Sequence, residues 1–513
     1  MITINYIMKK PFYISTTIPY VNGDPHLGHA LEYIQADAVA RYQRLLGKDV
    51  FFLSGTDENA LKNVRAAKEA GKPIEEFIES NAQEFEQFEQ LLNISLDDFI
   101  HTSEERHFKG AKKLWKRCKD DIYKKEYEGL YCVGCERFYK QQELEDGKCP
   151  DHKTEPEQVK EENYFFNITK YQDELRNLIE SSEVQVLPEY RKNEALQFIE
   201  NLEDFSISRS KERAQGWGVP VPGDKSQVMY VWFDALSNYI NALGFATNSE
   251  KYQKYWAQKD VEAREVVHFL GKDVSRFHLV YWLGMLLAAD IPLPTEEYVH
   301  GFITIDGEPM SKSRGIFIDP YELVGDYGVD PVRYYLLGAI PAYEDGDFTH
   351  DRFKNFHHAH LANGVGNLTS RILSMIEKYN NGKIPAPTET SLAIEDFWQK
   401  YQTNFSNFRF DDVISEINNF VSEVDSLISE EQPWKKVKQD KDISDNLYVY
   451  AECLRHIGIS LLPIIPNSAR ELLDRLGVES DNLGSLEEEM EWGRLKQNVN
   501  TNKKEQVLFE RLN

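Results

Sequence analysis

Two histidines, His26 and His29, stand three residues apart around Gly28, directly after Asp24-Pro25. An apolar run, Pro11 to Ile18, precedes them. Leu31, Ile34, Ala38 and Tyr42 follow at helical steps. A strand, a Pro/Gly turn and an amphipathic helix open a parallel crossover unit. The helix N-terminus offers unpaired N–H groups and partial positive charge, which suit a phosphate. Gly28 lets a flat ligand approach the backbone. By themselves these residues read as two ordinary histidines at a helix start, and the rest of the chain decides.

A second set could hold a metal. Cys132-x-x-Cys135 is followed, after thirteen residues, by Cys149-x-x-His152. Two such pairs on turns supply the four ligands of tetrahedral zinc. Gly134, Gly147 and Pro150 suit the turns. Four protein ligands leave no open position, so the expected role is structural. Five cysteines, three of them clustered, point to metal rather than disulfides.

Further chemistry falls at strand ends. Val50 to Leu53 reads as a buried strand ending in Ser54-Gly55-Thr56-Asp57-Glu58. Ligands in open α/β sheets sit beyond the carboxyl ends of strands. Asp57 can therefore hold an amine or a ribose there, or cap the next helix. Val228 to Phe233 reads as another strand, followed by Asp234-Ala235-Leu236. Trp232, Ala235 and Tyr239 then recur at helical spacing, as core or as walls of an apolar pocket. Val266 to Leu270 ends in Gly271-Lys272-Asp273, and Phe277, His278, Tyr281 and Trp282 follow. Val299 to Ile305 reads as one strand with a turn at Asp306-Gly307. The loop Met310-Ser311-Lys312-Ser313-Arg314-Gly315 comes next. A lysine there can sit against a phosphate as a point charge, although alone the loop reads as surface.

The elements that must position these groups follow from length and pattern. A chain of 513 residues calls for two to four domains. From about Asn355 the pattern becomes long amphipathic helices: Leu361–Tyr379, Phe397–Leu427 and Leu447–Leu462. Pro385-Ala386-Pro387, Gln432-Pro433-Trp434 and Pro463 interrupt them. The expected fold is α/β: a Rossmann-like parallel sheet split by a zinc-knuckle insertion, followed by an all-α bundle. The formal charge of −26 excludes a generic nucleic-acid coat. Local basic patches remain, at Lys109, Lys112, Lys113, Lys116, Arg117 and Lys119 and at Lys435, Lys436 and Lys438. Alone, each reads as a solvated helix face. No run of about eighteen apolar residues predicts a membrane span. No apolar segment before the first strand reads as a signal peptide, so the cytoplasm is expected.

In this order the pieces resemble the methionyl branch of the class I aminoacyl-tRNA synthetases, over nearly the whole chain. His26-Leu27-Gly28-His29 looks like the first signature of that class, and Met310-Ser311-Lys312-Ser313 like the second. Thr17-Ile18-Pro19-Tyr20, Val231-Trp232-Phe233-Asp234-Ala235 and Gly271-Lys272-Asp273 with Phe277-His278 resemble this branch rather than its valine, leucine or isoleucine relatives. The knuckle resembles the branch's single-zinc form. One departure is Pro309, which stands where the second signature usually begins with lysine; the later Lys312 is kept.

The resemblance implies two steps. Methionine and ATP-magnesium give methionyl-adenylate, and the methionyl group then passes to the 3′ end of tRNA(Met), for initiation and elongation. No protein nucleophile is needed, so positioning and charge stabilisation carry the reaction. It implies ATP contacts from His26, Gly28, His29, Gly271, Asp273, Met310, Ser311, Lys312 and Ser313, with His26, His29 and Lys312 catalytic. Asp57 is implied for the methionine ammonium. Ile18, Tyr20, Trp232, Ala235, Leu236, Tyr239, Val274, His278 and Trp282 are implied around the thioether. Asn367, Arg371, Pro433 and Trp434 are implied as anticodon readers, and Cys132, Cys135, Cys149 and His152 as ligands of one structural zinc. The matching divisions are 1–115 and 228–300 for the two halves of the catalytic fold and 116–227 for the insertion. Residues 301–355 form the signature-loop and stem-contact region, and 356–513 the anticodon-binding domain. Some members add an oligonucleotide-binding domain that dimerises them; the chain stops at Asn513, so a monomer is expected. A nucleotidyltransferase would share the signatures but would not need the Trp232/Tyr239 pocket or the helical domain. A non-catalytic tRNA-binding relative would show damage at His26, His29 or Lys312, and all three are intact.

Overall fold

The computed structural model describes residues 9–134, 137–150, 153–260, 263–310, 316–502, 504 and 506–512. The chain divides into two compact units. The first holds 1–25, 50–90 and 96–299; the second holds 26–49, 91–95 and 300–513.

A six-stranded sheet organises the first unit. Its order is Asp98–His101, Asp49–Thr56, Pro11–Ser15, Glu265–Gly271, Glu296–His300 and Gln185–Leu187. Pro11–Ser15 runs parallel to Glu265–Gly271, and Asp49–Thr56 parallel to Asp98–His101. Phe12, Tyr13, Ile14, Phe51, Phe52 and Leu53 are all buried. That is why these strands read as unbroken apolar runs rather than alternating ones. The insertion is an antiparallel sheet built on the hairpin of Ile122–Cys132 and Glu157–Phe166.

The second unit contains the helix Leu27–Leu45, a three-stranded sheet, and a series of helices from Pro320 onward. Leu31, Ile34, Ala38 and Tyr42 are buried, as their spacing predicts. Asp37, on the same helix, is fully buried and meets Arg333 Nη2 at 2.7 Å. Arg333 also donates to the carbonyls of Ile464, Leu92 and Pro463 at 2.8, 3.1 and 3.3 Å.

Three expected elements differ from those found. Val228 to Phe233 is not one strand: the strand stops at Met229, and Trp232 and Phe233 lie on a short helix, Val231–Ala235. An unbroken apolar run cannot distinguish a strand from a buried helix. Val299 to Ile305 is two strands, Glu296–His300 and Ile303–Ile305. They part at Gly301, where a Cβ would lie 2.3 Å from the Glu344 carbonyl oxygen, so the bend needs glycine. Phe397 to Leu427 is two helices, Ile394–Ser406 and Phe410–Glu431. Phe408, with φ +51°, makes the break. A bulky residue in the left-handed region gives no composition signal of a turn. The Asp306-Gly307 turn is as expected, with φ of +52° and +78° joining Ile303–Ile305 to Glu308–Pro309. Pro309 is tolerated there because its strand is a short edge.

Candidate active site

The two histidines close the start of the helix Leu27–Leu45. His26 is the N-cap, and its Nδ1 accepts from the backbone N–H of Gly28 at 3.1 Å and of His29 at 3.4 Å. His29 Nδ1 accepts from the His26 N–H at 3.2 Å, which completes a reciprocal capping box. The rings stack with centroids 3.7 Å apart. An Nδ1 that accepts from a backbone N–H carries no proton, so the neutral rings bear theirs on Nε2. The helix-end amides of Gly28 and His29 are therefore bound by His26 rather than held open for an anion. Within the same unit, a Cβ on Gly28 would lie 3.6 Å from Met310 Cε, so the first signature and the start of the second are neighbours. Ser311, Lys312 and Ser313 lie outside the described residues.

The first unit carries an aromatic box at the carboxyl ends of its strands. Trp232 stacks on Phe277 with centroids 3.7 Å apart and meets the Tyr20 ring edge-on at 6.2 Å. Ala235, Leu236, Tyr239, His278 and Trp282 are buried beside it, and Ile18, Tyr20 and Val274 pack against the same cluster half-buried. Tyr239 Oη lies 2.7 Å from His278 Nε2, while His278 Nδ1 lies 3.0 Å from the Val274 carbonyl oxygen. A carbonyl only accepts, so Nδ1 holds the His278 proton and the tyrosine hydroxyl donates to Nε2. Asp57 is 2% exposed. Its backbone N–H donates to the Pro19 carbonyl at 2.8 Å, and its carbonyl accepts from Asn63 Nδ2 at 2.9 Å. Gly271 ends its strand buried, and Asp273 stands exposed in the turn that follows.

In the insertion, Cys132 and Cys149 are buried in one small cluster with Tyr139, whose hydroxyl lies 3.3 Å from Cys149 Sγ. Cys135 and His152 lie outside the described residues. Among the described residues no three His, Cys, Asp or Glu side chains form a metal-holding group. The soft sulfur donors that are described suit zinc.

The helical region brings Arg371 and Trp434 together. Arg371 Cζ lies 5.5 Å from the Trp434 ring centroid, and its Nη1 pairs with Asp425 Oδ1 at 2.6 Å. Asn367 is exposed at the start of the helix Asn367–Asn380, and Pro433 is buried at the start of Pro433–Val437.

Residues 12–158 and 140–373 match the family described as tRNA synthetases class I (M). The chain belongs to that family. It is 42% identical over 488 residues to the methionine–tRNA ligase of Brucella suis, covering 92% of this chain and 93% of that one. It is 40% identical over 519 residues to the methionine–tRNA ligase of Caldanaerobacter subterraneus, covering 98% and 79%. Among solved structures it matches Mycobacterium tuberculosis methionyl-tRNA synthetase in complex with methionyl-adenylate. That match has a TM-score of 0.90 and 35% identity, and covers 98% of this chain and 100% of the other. No described helix is long and apolar enough to cross a membrane.

Family membership and the parallel sheet agree with the sequence reading, but some of the site's polar groups had not been singled out. His268, on the strand Glu265–Gly271, is fully buried with Nδ1 2.6 Å from Ser15 Oγ and its ring 4.2 Å from that of Tyr239. Burial, helped by the nearby His278, lowers its pKa well below the usual histidine value and keeps it neutral. Asp234 is fully buried and accepts from Asn59 Nδ2 at 2.9 Å. A histidine inside an apolar strand and an asparagine two residues past an acid are the only sequence signals these groups give.

Proposed function

We propose that this chain joins methionine to the 3′ end of tRNA(Met) through a methionyl-adenylate. The observation that carries this reading is the buried cluster of Trp232, Tyr239, His278 and Trp282, with Asp57 at the neighbouring strand end. Asp57 takes the substrate ammonium. The aromatic walls take the thioether, each sulfur–aromatic contact contributing about 0.3–1.5 kcal/mol. The Tyr239 hydroxyl proton is committed to His278, so the hydroxyl meets sulfur as an oxygen edge and selection falls on shape. Gly271 and Asp273 take the adenosine.

The substrate carboxylate attacks the α-phosphorus and pyrophosphate leaves. His26 and His29 donate their Nε2–H groups to phosphate oxygens as charge spreads over them, and Lys312 adds a cation. The ATP would come as its magnesium complex, the metal supplying positive charge to the phosphates. ATP–pyrophosphate exchange across the amino acids tests the reading: methionine should drive it and leucine or valine should not. Exchange driven by leucine or valine in methionine's place would overturn it.

Cys132, Cys135, Cys149 and His152 would hold one structural zinc, which braces the insertion and leaves no ligand position for substrate. Metal analysis of Cys132→Ala should show the loss of about one zinc per chain. A variant that kept its zinc would sink this ligand set.

For the tRNA, Trp434 offers a ring on which an unstacked anticodon base can lie, and Arg371 and Asn367 offer donors to base edges. A stacked base contributes on the order of 1–3 kcal/mol. Trp434→Ala should leave amino-acid-driven exchange intact and raise the KM for tRNA about 10- to 100-fold, read by aminoacylation. Loss of both activities in equal measure would count against the anticodon role. With a net charge of −26, binding through such local contacts should weaken as salt rises.

A further inference from the structure

Beside the edge-on contact of Tyr20 with Trp232, a hydrogen bond joins the Asp57 and Trp232 sides of the methionine pocket. Asn59 lies two residues after Asp57, and its backbone N–H donates to Asp57 Oδ1 at 3.3 Å. Its Nδ2 donates to Asp234 Oδ2 at 2.9 Å and to the Thr102 carbonyl at 3.0 Å. Asp234 lies two residues after Trp232 and one before Ala235, on the five-residue helix Val231–Ala235. So short a helix has little stability of its own, and its position is set by what holds it. The stack of Trp232 on Phe277 holds one side. Phe233 packs edge-on against Trp115, and Asn59 adds a hydrogen bond in which Asp234 is wholly buried and Asn59 is 9% exposed. The Asp57 end is itself fixed, by Pro19 and by Asn63.

We propose that the Asn59–Asp234 hydrogen bond sets the distance between the ammonium-holding and thioether-holding ends of the pocket, and thereby the side-chain length the enzyme accepts. The inference rests on the reading that Asp57 takes the ammonium and Trp232 walls the thioether. Asn59 and Asp234 act here as positioning residues. Two features of the pair fit this role. Burial pushes the Asp234 pKa well above the usual carboxylate range, so the bond does not depend on an ion pair. Asn59 Oδ1 and Asp234 Oδ1 have no hydrogen-bond partner among the described residues. Buried unsatisfied oxygens cost stability, and a pair that carries two of them is being kept for its geometry.

The test compares methionine with S-methylcysteine, one methylene shorter, and ethionine, one methylene longer, by ATP–pyrophosphate exchange. One methylene in an apolar pocket is ordinarily discriminated by about 10- to 200-fold in kcat/KM. Asn59→Ala should shrink these ratios by about tenfold, through the KM for the amino acid, with the KM for ATP unchanged. Asp234→Ala removes the same bond from its other side and should do the same. Asp234→Asn keeps an oxygen for Asn59 to donate to and should recover most of the lost discrimination. Equal loss toward all three amino acids, with the ratios intact, would reduce the bond to simple scaffolding and overturn the inference alone. Wild-type exchange that ignores methionine would overturn the pocket reading itself and the inference with it.

Discussion

His26→Asn is expected to slow adenylate formation about 10²- to 10³-fold, a loss of roughly 2.7–4 kcal/mol of transition-state stabilisation. The same substitution should leave the unfolding free energy within about 1 kcal/mol of the parent. The separation is possible because the cap and the proposed phosphate contact use different nitrogens of His26. Its Nδ1 caps the helix, accepting from the N–H groups of Gly28 and His29. Its Nε2 would supply the proposed donor to a phosphate oxygen. Asparagine is among the best N-caps, so its Oδ1 takes over the cap. It is shorter than histidine and leaves the phosphate contact unmade. Rapid-quench measurement of the first step, alongside urea unfolding, reads both. Unchanged chemistry in a well-folded His26→Asn would show that the pair of imidazoles is only a cap.

Arg333→Ala should cost about 3–5 kcal/mol, because it takes one of two guanidinium partners from the wholly buried Asp37 carboxylate and the donor from three buried backbone carbonyls. Asp37 is gripped by Arg333, Arg41 Nε and Ser95, with contacts of 2.5–2.7 Å. Burial by itself would raise the Asp37 pKa, but Arg333, Arg41 and the Ser95 hydroxyl together outweigh it and the net shift is downward. A lowered pKa in the folded state adds stability above the unfolded value of about 4, and that stability drains away as pH falls through the folded value. The pair should therefore be worth most at neutral pH and least in acid below about pH 4. Replacing both partners with apolar residues will not restore the loss as it can elsewhere. Arg333 also satisfies three backbone carbonyls, of Leu92, Pro463 and Ile464, which would then be left bare. Arg333→Lys should recover only part, since an ammonium cannot match a planar fork aimed at four acceptors. Chemical denaturation of the three variants at neutral and acid pH tests the ranking. Near-equal stability of Arg333→Ala and the parent would mean that water reaches Asp37.

Residue type carried much of the architecture, and only some of the polar geometry. The parallel strands were legible because burial on both faces leaves a continuous apolar run, as in Val50 to Leu53. The long helices were legible from period alone. At Val228 to Phe233 and Val299 to Ile305 the same apolar runs misled, because burial and not strand geometry is what such a run reports. The decisive signal there was a single small residue, Gly301, or none. The histidine pair was visible as two imidazoles on one face. Its tautomers were not, since they depend on backbone N–H groups that turn toward Nδ1 only in the folded cap. The pairs Ser15–His268, Asn59–Asp234 and Asp37–Arg333 span sequence separations of 253, 175 and 296 residues. Nothing local marks either member as having a partner.

The two units also sort the proposed contacts by what they recognise. Tyr20, Asp57, Trp232, Tyr239, His278 and Trp282 belong to the first unit, and Asn367, Arg371, Pro433 and Trp434 to the second. Amino-acid choice and decoding can then drift separately. A library confined to the first group would explore new side chains for loading while the transfer RNA being charged stays the same, which makes this chain a natural starting point for reassigning a codon.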